Sequence, residues 1–271
     1  MRDRDSIILE TIYTKNVLNE ARIDTSNFMR QKFLGGSTGA YLYLDKHTGE
    51  HWVVKKGANV QHMYNEYLSN KIYSKYGLNT PESYIGQIDG EEVLVTKYLK
   101  DSVPLRTAID SGRHLNIANE VGKGILLDII LANWDVVGTN HDMDNVRVTP
   151  DGTVWRVDTG GSTIYRAQGK EKGNAFGDMP SEHNTFRDKN SGTYASEIFS
   201  KITNDEISQK IKEEAKRYII NGDQVSHVRF LRDLRSAIYG DSDLNLSEEN
   251  KQKVYRTLAK RVFNLYRIFS K

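Results

Sequence analysis

The feature that most constrains this chain is a change of texture at Leu99. From Phe28 to Leu99 the apolar residues come in short, strand-like runs cut by glycine. Beyond Leu99 helical periods dominate. FMRQKFLGG, AYLYLDK and HWVVKK read as three strands, with turns at Gly35–Gly36 and His47–Gly49. Residues 60–76 have a helical period with Met63, Tyr67, Ile72 and Tyr73 inward, and SYIGQI and EEVLVTKYL form two further strands joined at Asp89–Gly90, a hairpin signal. This order predicts an α+β fold of two lobes, β-rich then α-rich, linked near residues 97–104. The boundaries expected are a helical extension over 1–27 (an amphipathic helix at 3–22), an N-lobe over 28–99 and a C-lobe over 100–271.

In the second half, residues 116–133 read as one mostly apolar helix, and NVRVT and TVWRVDT read as strands around the turn Pro150-Asp151-Gly152. The polar, glycine-rich stretch Arg166–Asn190 is expected to be a long mobile loop, with helices over 194–271, including 227–239 and a last helix opening at Asn245-Leu246-Ser247. On that last helix Val254, Leu258, Val262, Leu265 and Ile268 face inward. Lys251, Lys253, Arg256, Lys260, Arg261 and Arg267 are then its solvated face rather than a membrane-binding one.

Composition removes several classes of function. The 271 residues contain no cysteine, which excludes disulfide scaffolds, thiolate metal sites and cysteine nucleophiles. Thirty-eight Lys and Arg against 36 Asp and Glu leave no basic excess for a nucleic-acid partner. The longest apolar stretch, Ile125–Ala132, is interrupted by Asp128 and is too short for a membrane span, and the first thirty residues lack a signal-peptide block. A soluble cytoplasmic protein is expected.

Three constellations carry chemistry. Gly35-Gly36-Ser37-Thr38-Gly39, between two strands, suits a backbone that cradles phosphate, although a plain hairpin with a glycine bulge has the same residues. Lys55 and Lys56 end the third strand, and only Lys55 shares the face of Val53. Glu66, on the following helix, could pair with a lysine and hold it over a phosphate, or be solvated. The third constellation is ILANWDVVGTNHDMDNVRV and then TVWRVDTGGS. Asp135 leaves the apolar helix, Asn145 precedes a strand and Asp158 ends the next one before Thr159-Gly160-Gly161. Asn and Asp oxygens at neighbouring strand ends suit Mg²⁺, and a separate Asp facing them could accept a hydroxyl proton. Turn and Asx-capping roles explain Asp135, Asn145 and Asp158 singly.

The order of glycine loop, strand lysine, helix glutamate, Asp, Asn and Asp-x-Gly resembles the protein-kinase-like family. The resemblance implies that Gly35–Gly39 cover the phosphates of ATP, that Lys55 orients them and pairs with Glu66, and that Val93–Leu99, with Lys97 and Tyr98, form the last N-lobe strand and the nucleotide-facing hinge. It implies Asp135 as catalytic base, and Asn145 and Asp158 as Mg²⁺ ligands. Thirteen positions separate Asn145 from Asp158, as in kinases, where the spacing is about thirteen. Ten separate Asp135 from Asn145, against about five there, an insertion over Val137–His141. Asn140 and Asp144 stay open as alternatives to Asn145. Asn133-Trp134 stand where His-Arg is usual, Thr159 replaces the Phe of the metal-binding triplet, and Ala-Pro-Glu is missing. These departures resemble the atypical branch of actin-fragmin kinase, HipA-type bacterial kinases and phosphoinositide kinases. Size, the lack of cysteine and the opening of the chain look like proteins of large tailed phages. The implied activity is serine/threonine protein phosphorylation, with host proteins as substrates in the host cytoplasm and Arg166–Asn190 (Ser181, Thr185, Arg187) as activation or docking segment. A lipid or small-molecule kinase, an AMP-transferring enzyme and a nucleotide-binding pseudokinase are the alternatives. The oligomeric state is not legible.

Overall fold

A computed structural model describes residues 22–36, 38–112, 116–218 and 225–269. The helix expected at 3–22 and the loop residue Ser37 lie outside the described residues, Arg22 apart. Five antiparallel strands, β1 (Phe28–Gly35), β2 (Ala40–Asp45), β3 (His51–Lys55), β4 (Ser83–Ile88) and β5 (Glu91–Lys97), form one sheet in the order β1-β2-β3-β5-β4. Helix α1 (Val60–Lys75) crosses between β3 and β4 and packs on β4 and β5. The Asp89–Gly90 hairpin forms as expected, with φ of 54° and 80° at the two turn residues.

Alternation divides the sheet's side chains between two cores. Trp52, Val54, Val93 and Val95 point to the outer face, where Ile23, Phe28, Tyr43, Tyr84 and Ile88 cover them. Ile85 and Leu94 point the other way and join the buried residues of α1 in the main core. The segment just before β1 reaches the outer face across Gly86, where an added Cβ would sit 2.7 Å from Thr25 Cγ2.

Residues 98–102 lead into the second lobe. It opens with β6 (Val103–Pro104), α2 (Leu105–Asp110), α3 (Ile117–Gly122) and α4 (Ile125–Ile130). Strands β7 (Val146–Val148) and β8 (Val154–Arg156) complete a three-stranded antiparallel sheet with β6. Short helices α5 (Glu182–Thr185) and α6 (Tyr194–Phe199) precede α7 (Asn204–Tyr218), α8 (Val225–Tyr239) and α9 (Glu248–Phe269), whose first turn is capped by Ser247. Among the described residues no helix is long and apolar enough to cross a membrane.

Three sequence expectations are corrected. The single helix over 116–133 is two, broken at Lys123–Gly124. A Cβ at Gly124 would lie 2.6 Å from Arg156 Nη2, so the break admits a buried guanidinium. The stretch Arg166–Asn190 is not a loose loop, because Lys172, Phe176, Glu182 and Phe186 along it are buried. Arg261, assigned to the solvated face of the last helix, is fully buried. It sits on the inward stripe with Val254, Leu258 and Leu265, and donates to the carbonyls of Ile129 (2.7 Å), Ile130 (2.9 Å), Gly177 (2.8 Å) and Met179 (3.2 Å) and to Glu182. Those carbonyls of α4 and of the loop before α5 need donors, which an aliphatic side chain would not supply.

Candidate active site

Strand register builds the N-lobe wall of the cleft. Gly35 pairs with Ala40, Ala40 with Lys55, and Lys55 with Leu94, so the glycine turn and Lys55 lie at the same end of the sheet. Gly35, Gly36 and Gly39 have φ of 91°, 83° and 71°, a conformation that leaves the turn to glycine. Thr38 lies in the same turn. Lys55 points inward, 2.8 Å from Glu66 Oε1 and 3.3 Å from Asp158 Oδ2. Lys56 points to solvent and pairs with the exposed Glu91. Burial works against the charge on Lys55, but the Asp158 and Glu66 carboxylates outweigh it and hold the ammonium above its ordinary pKa. Glu66 shares that one lysine with Asp158, so burial wins there and its pKa lies above the usual carboxylate range.

At the hinge, Lys97 is paired across from Trp52 and turns its ammonium to the outer face. There it meets Glu50 at 2.7 Å and lies 5.7 Å from the Trp52 ring centroid. Tyr98 donates its backbone N–H to His51 O at 3.0 Å. Both residues therefore lie at the hinge, but the side chain of Lys97 turns away from the face that carries Lys55.

The opposite wall is carried by loops. Asn145 stands at the start of β7, and its carbonyl accepts the N–H of Val157, which puts Asp158 beside it at one sheet end. The Asn145 amide donates Nδ2–H to the backbone carbonyl of Asp135 at 2.7 Å, so its Oδ1 is the atom left for a ligand. Asn140 is exposed instead, with its carbonyl in a turn to Met143 N, and Asp144 is exposed near Gly138. Asp135 caps its turn with its backbone, taking Gly138 N–H at 3.2 Å. Its Oδ1 is buried without a hydrogen-bond partner among the described residues. Burial, then the neighbouring Asp158 charge, push the Asp135 carboxyl up to about 6, against the pull of a hydrogen bond from Asn145. The two glycines after Thr159 let three elements converge. A Cβ at Gly160 would lie 3.0 Å from His62 Nε2, and one at Gly161 would lie 3.1 Å from Asp135 Cβ.

Among the described residues no group of three or more His, Asp or Glu gathers to cage a metal. The donors present, a half-exposed Asp158 carboxylate and the Asn145 amide oxygen, are hard oxygens at an open edge. That set fits a divalent ion such as Mg²⁺, which keeps much of its water and takes further ligands from phosphate.

No family model and no curated protein matches the sequence. Among solved structures, the fold is similar to that of a Helicobacter pylori proinflammatory kinase, CtkA. The TM-score is 0.51 at 12% identity, over 91% of this chain and 98% of that one. The two-lobed fold is protein-kinase-like.

The residues that sequence reasoning missed hold this wall in place. Asp128, read only as an interruption of an apolar run, is fully buried and takes a two-pronged contact from Arg156, 2.6 Å from Nη2 and 3.2 Å from Nε. Tyr73 donates to Asp128 at 2.8 Å and accepts from Asn133 at 3.1 Å, while Asn133 Oδ1 takes the backbone N–H of Asp135 at 3.3 Å. On α1, His62, Asn65 and Asn70 reach the loop after Asp158. Asn65 donates to Ser162 O at 2.9 Å and Thr159 donates to Asn70 at 2.8 Å. Polar residues at 62, 65, 66, 69 and 70 repeat at three and four positions, and that spacing was the available signal for a second, polar inward stripe.

Proposed function

We propose that this protein is an ATP- and Mg²⁺-dependent phosphotransferase that places the γ-phosphoryl group of ATP on serine or threonine hydroxyls of proteins, acting in the cytoplasm. The observation that carries the reading is Lys55 held between Glu66 and Asp158 under the glycine turn, with the Asp135 carboxyl, whose Oδ1 has no partner among the described residues, across the cleft. The turn's backbone would lie over the phosphates, and Lys55, fixed by Glu66, would contact them as a point charge. Asn145 and Asp158 would hold Mg²⁺, which supplies charge neutralisation at the phosphates when bound. Asp135 would align the acceptor hydroxyl and take its proton. Its raised pKa makes it a better proton acceptor than an exposed carboxylate while still ionised at neutral pH.

The test is an intact-mass measurement of the protein and of serine- and threonine-containing protein substrates after incubation with ATP and Mg²⁺. A phosphoryl increment on substrate, lost in a folded Asp158→Asn variant, supports the reading. An adenylyl increment, transfer only to lipid or small-molecule acceptors, or no increment with nucleotide bound would each replace it with a different activity. Wild-type turnover by Asp158→Asn at saturating Mg²⁺ would remove Asp158 from the site.

A further inference from the structure

We propose that Lys172 is a positioning residue for this reaction, its ammonium serving as a built-in cation that ties the turn carrying Asp135 to the loop that follows Asp158. The inference rests on the reading of Asp135 and Asp158 as the working pair. Lys172 lies in the segment after β8, is buried, and donates from Nζ to Ala132 O at 2.6 Å, Gly161 O at 2.7 Å and Thr163 O at 3.0 Å. Ala132 lies three residues before Asp135 and Gly161 three residues after Asp158. One nitrogen thus joins both loops that carry the reacting groups.

Two of the three acceptors belong to strained backbone. Ala132 and Thr163 have φ of 50° and 48°, a left-handed conformation that a non-glycine residue keeps only where its surroundings impose it. Thr163 N–H donates to Leu131 O at 2.6 Å and Lys172 N–H to Ile164 O at 2.7 Å, so backbone hydrogen bonds bring the segments of this junction together and the ammonium closes it. Burial pushes the Lys172 amine well below its ordinary pKa, against the attraction of Glu182. Three carbonyl oxygens at hydrogen-bond distance nevertheless need three N–H donors, and only the protonated amine has three. The Trp134 ring, whose centroid is 4.9 Å from Nζ, gives the charge a further favourable face. Trp134 is in turn fixed by its N–H to Glu182 Oε1 at 2.8 Å, and Glu182 by buried Arg261.

Chemical rescue tests this. Lys172→Ala removes three carbons and the nitrogen, a space that n-propylammonium matches, whereas Lys172→Met fills it without a charge. Lys172→Met is expected to lower kcat by about a hundredfold, the cost of a misplaced catalytic group, with the KM for ATP within about threefold of wild type. n-Propylammonium should restore at least about tenfold of the kcat lost in Lys172→Ala, and tetramethylammonium, which has no N–H, should restore none. Amide hydrogen exchange over 131–135 and 160–164, measured without nucleotide, should quicken in Lys172→Ala and slow again with n-propylammonium. A variant with wild-type kcat, or a loss that falls equally on kcat and ATP affinity and is not rescued, overturns the proposal. If Lys172→Met does not fold, Lys172→Ala prepared in n-propylammonium gives the same readings as the amine is dialysed away. A wild-type protein that transfers nothing from ATP would refute the proposed function, while the exchange measurement would still decide whether Lys172 ties the two loops.

Discussion

On the N-lobe wall of the cleft, Lys55 takes its place from strand register: three neighbouring strands bring Gly35, Ala40 and Lys55 to one line, and the alternation that buries Val54 on the outer face turns Lys55 inward. On the C-lobe wall, Asp135 and Asn145 lie in turns, and Asp158 just past the end of a three-residue strand. Buried charges hold those turns, through the Asp128–Arg156 pair, Lys172 on three carbonyls, and Arg261 with Glu182. A sheet locates a side chain through many weak, repeated backbone bonds. A loop wall does so through a few strong contacts, each costly to leave half made. The two walls should therefore fail in different ways when single residues are changed.

The largest effect is expected at Asp135. Asp135→Ala should lower kcat by about 10³- to 10⁴-fold while nucleotide affinity stays nearly unchanged. The variant should melt no lower than wild type, because the lost carboxyl has a buried oxygen without a partner among the described residues and faces Asp158. Parallel losses in melting temperature and kcat would reduce Asp135 to a turn cap.

Next comes the support of the loop wall. Asp128→Ala strands a buried guanidinium and the hydroxyl of Tyr73, and should cost about 3–5 kcal/mol in urea unfolding. A loss below about 1 kcal/mol would mean that the C-lobe wall does not depend on buried charge in the way the contrast requires.

The sheet wall should lose function at Lys55 and keep it at its neighbour. Lys55→Met should reduce ATP turnover by about a hundredfold, and Lys56→Met, which removes an exposed partner of Glu91, should leave it near wild type. The reverse order would place the strand phase one residue off.

The smallest effect joins the two walls and depends on pH. His62 accepts the Ala58 N–H at Nδ1 (3.2 Å), so its Nε2–H donates to Gly160 O at 3.2 Å, and protonation would break the first bond. Burial holds its folded pKa below the ordinary 6.5, with the Gly160 carbonyl and Asp158 opposing. The unfolded chain then takes the proton first, so the penalty is absent above about pH 6.5 and grows as the pH falls below it. Thermal melts from pH 7.5 to 5 should fall more for wild type than for His62→Gln, and parallel curves would show that His62 does not couple the helix to the loop.

Much of the sheet wall was legible in the sequence. Strand alternation, the Asp89–Gly90 turn, the period of α1 and the phase of Lys55 depend on residues within a few positions of one another, and local sterics impose them wherever the segment lies. The turn signal Pro150-Asp151-Gly152 between two strand-like runs also marked which ends of β7 and β8 come together. Tertiary structure alone decided that Asp128 meets Arg156, that the expected helix breaks at Gly124 for that guanidinium, and that Lys172 and Arg261 are buried rather than solvated. A charged residue in an apolar stripe has the same local pattern whether it lines solvent or core. Its place is settled by which carbonyls and carboxylates arrive from distant segments, because only those partners can offset the cost of taking a charge out of water.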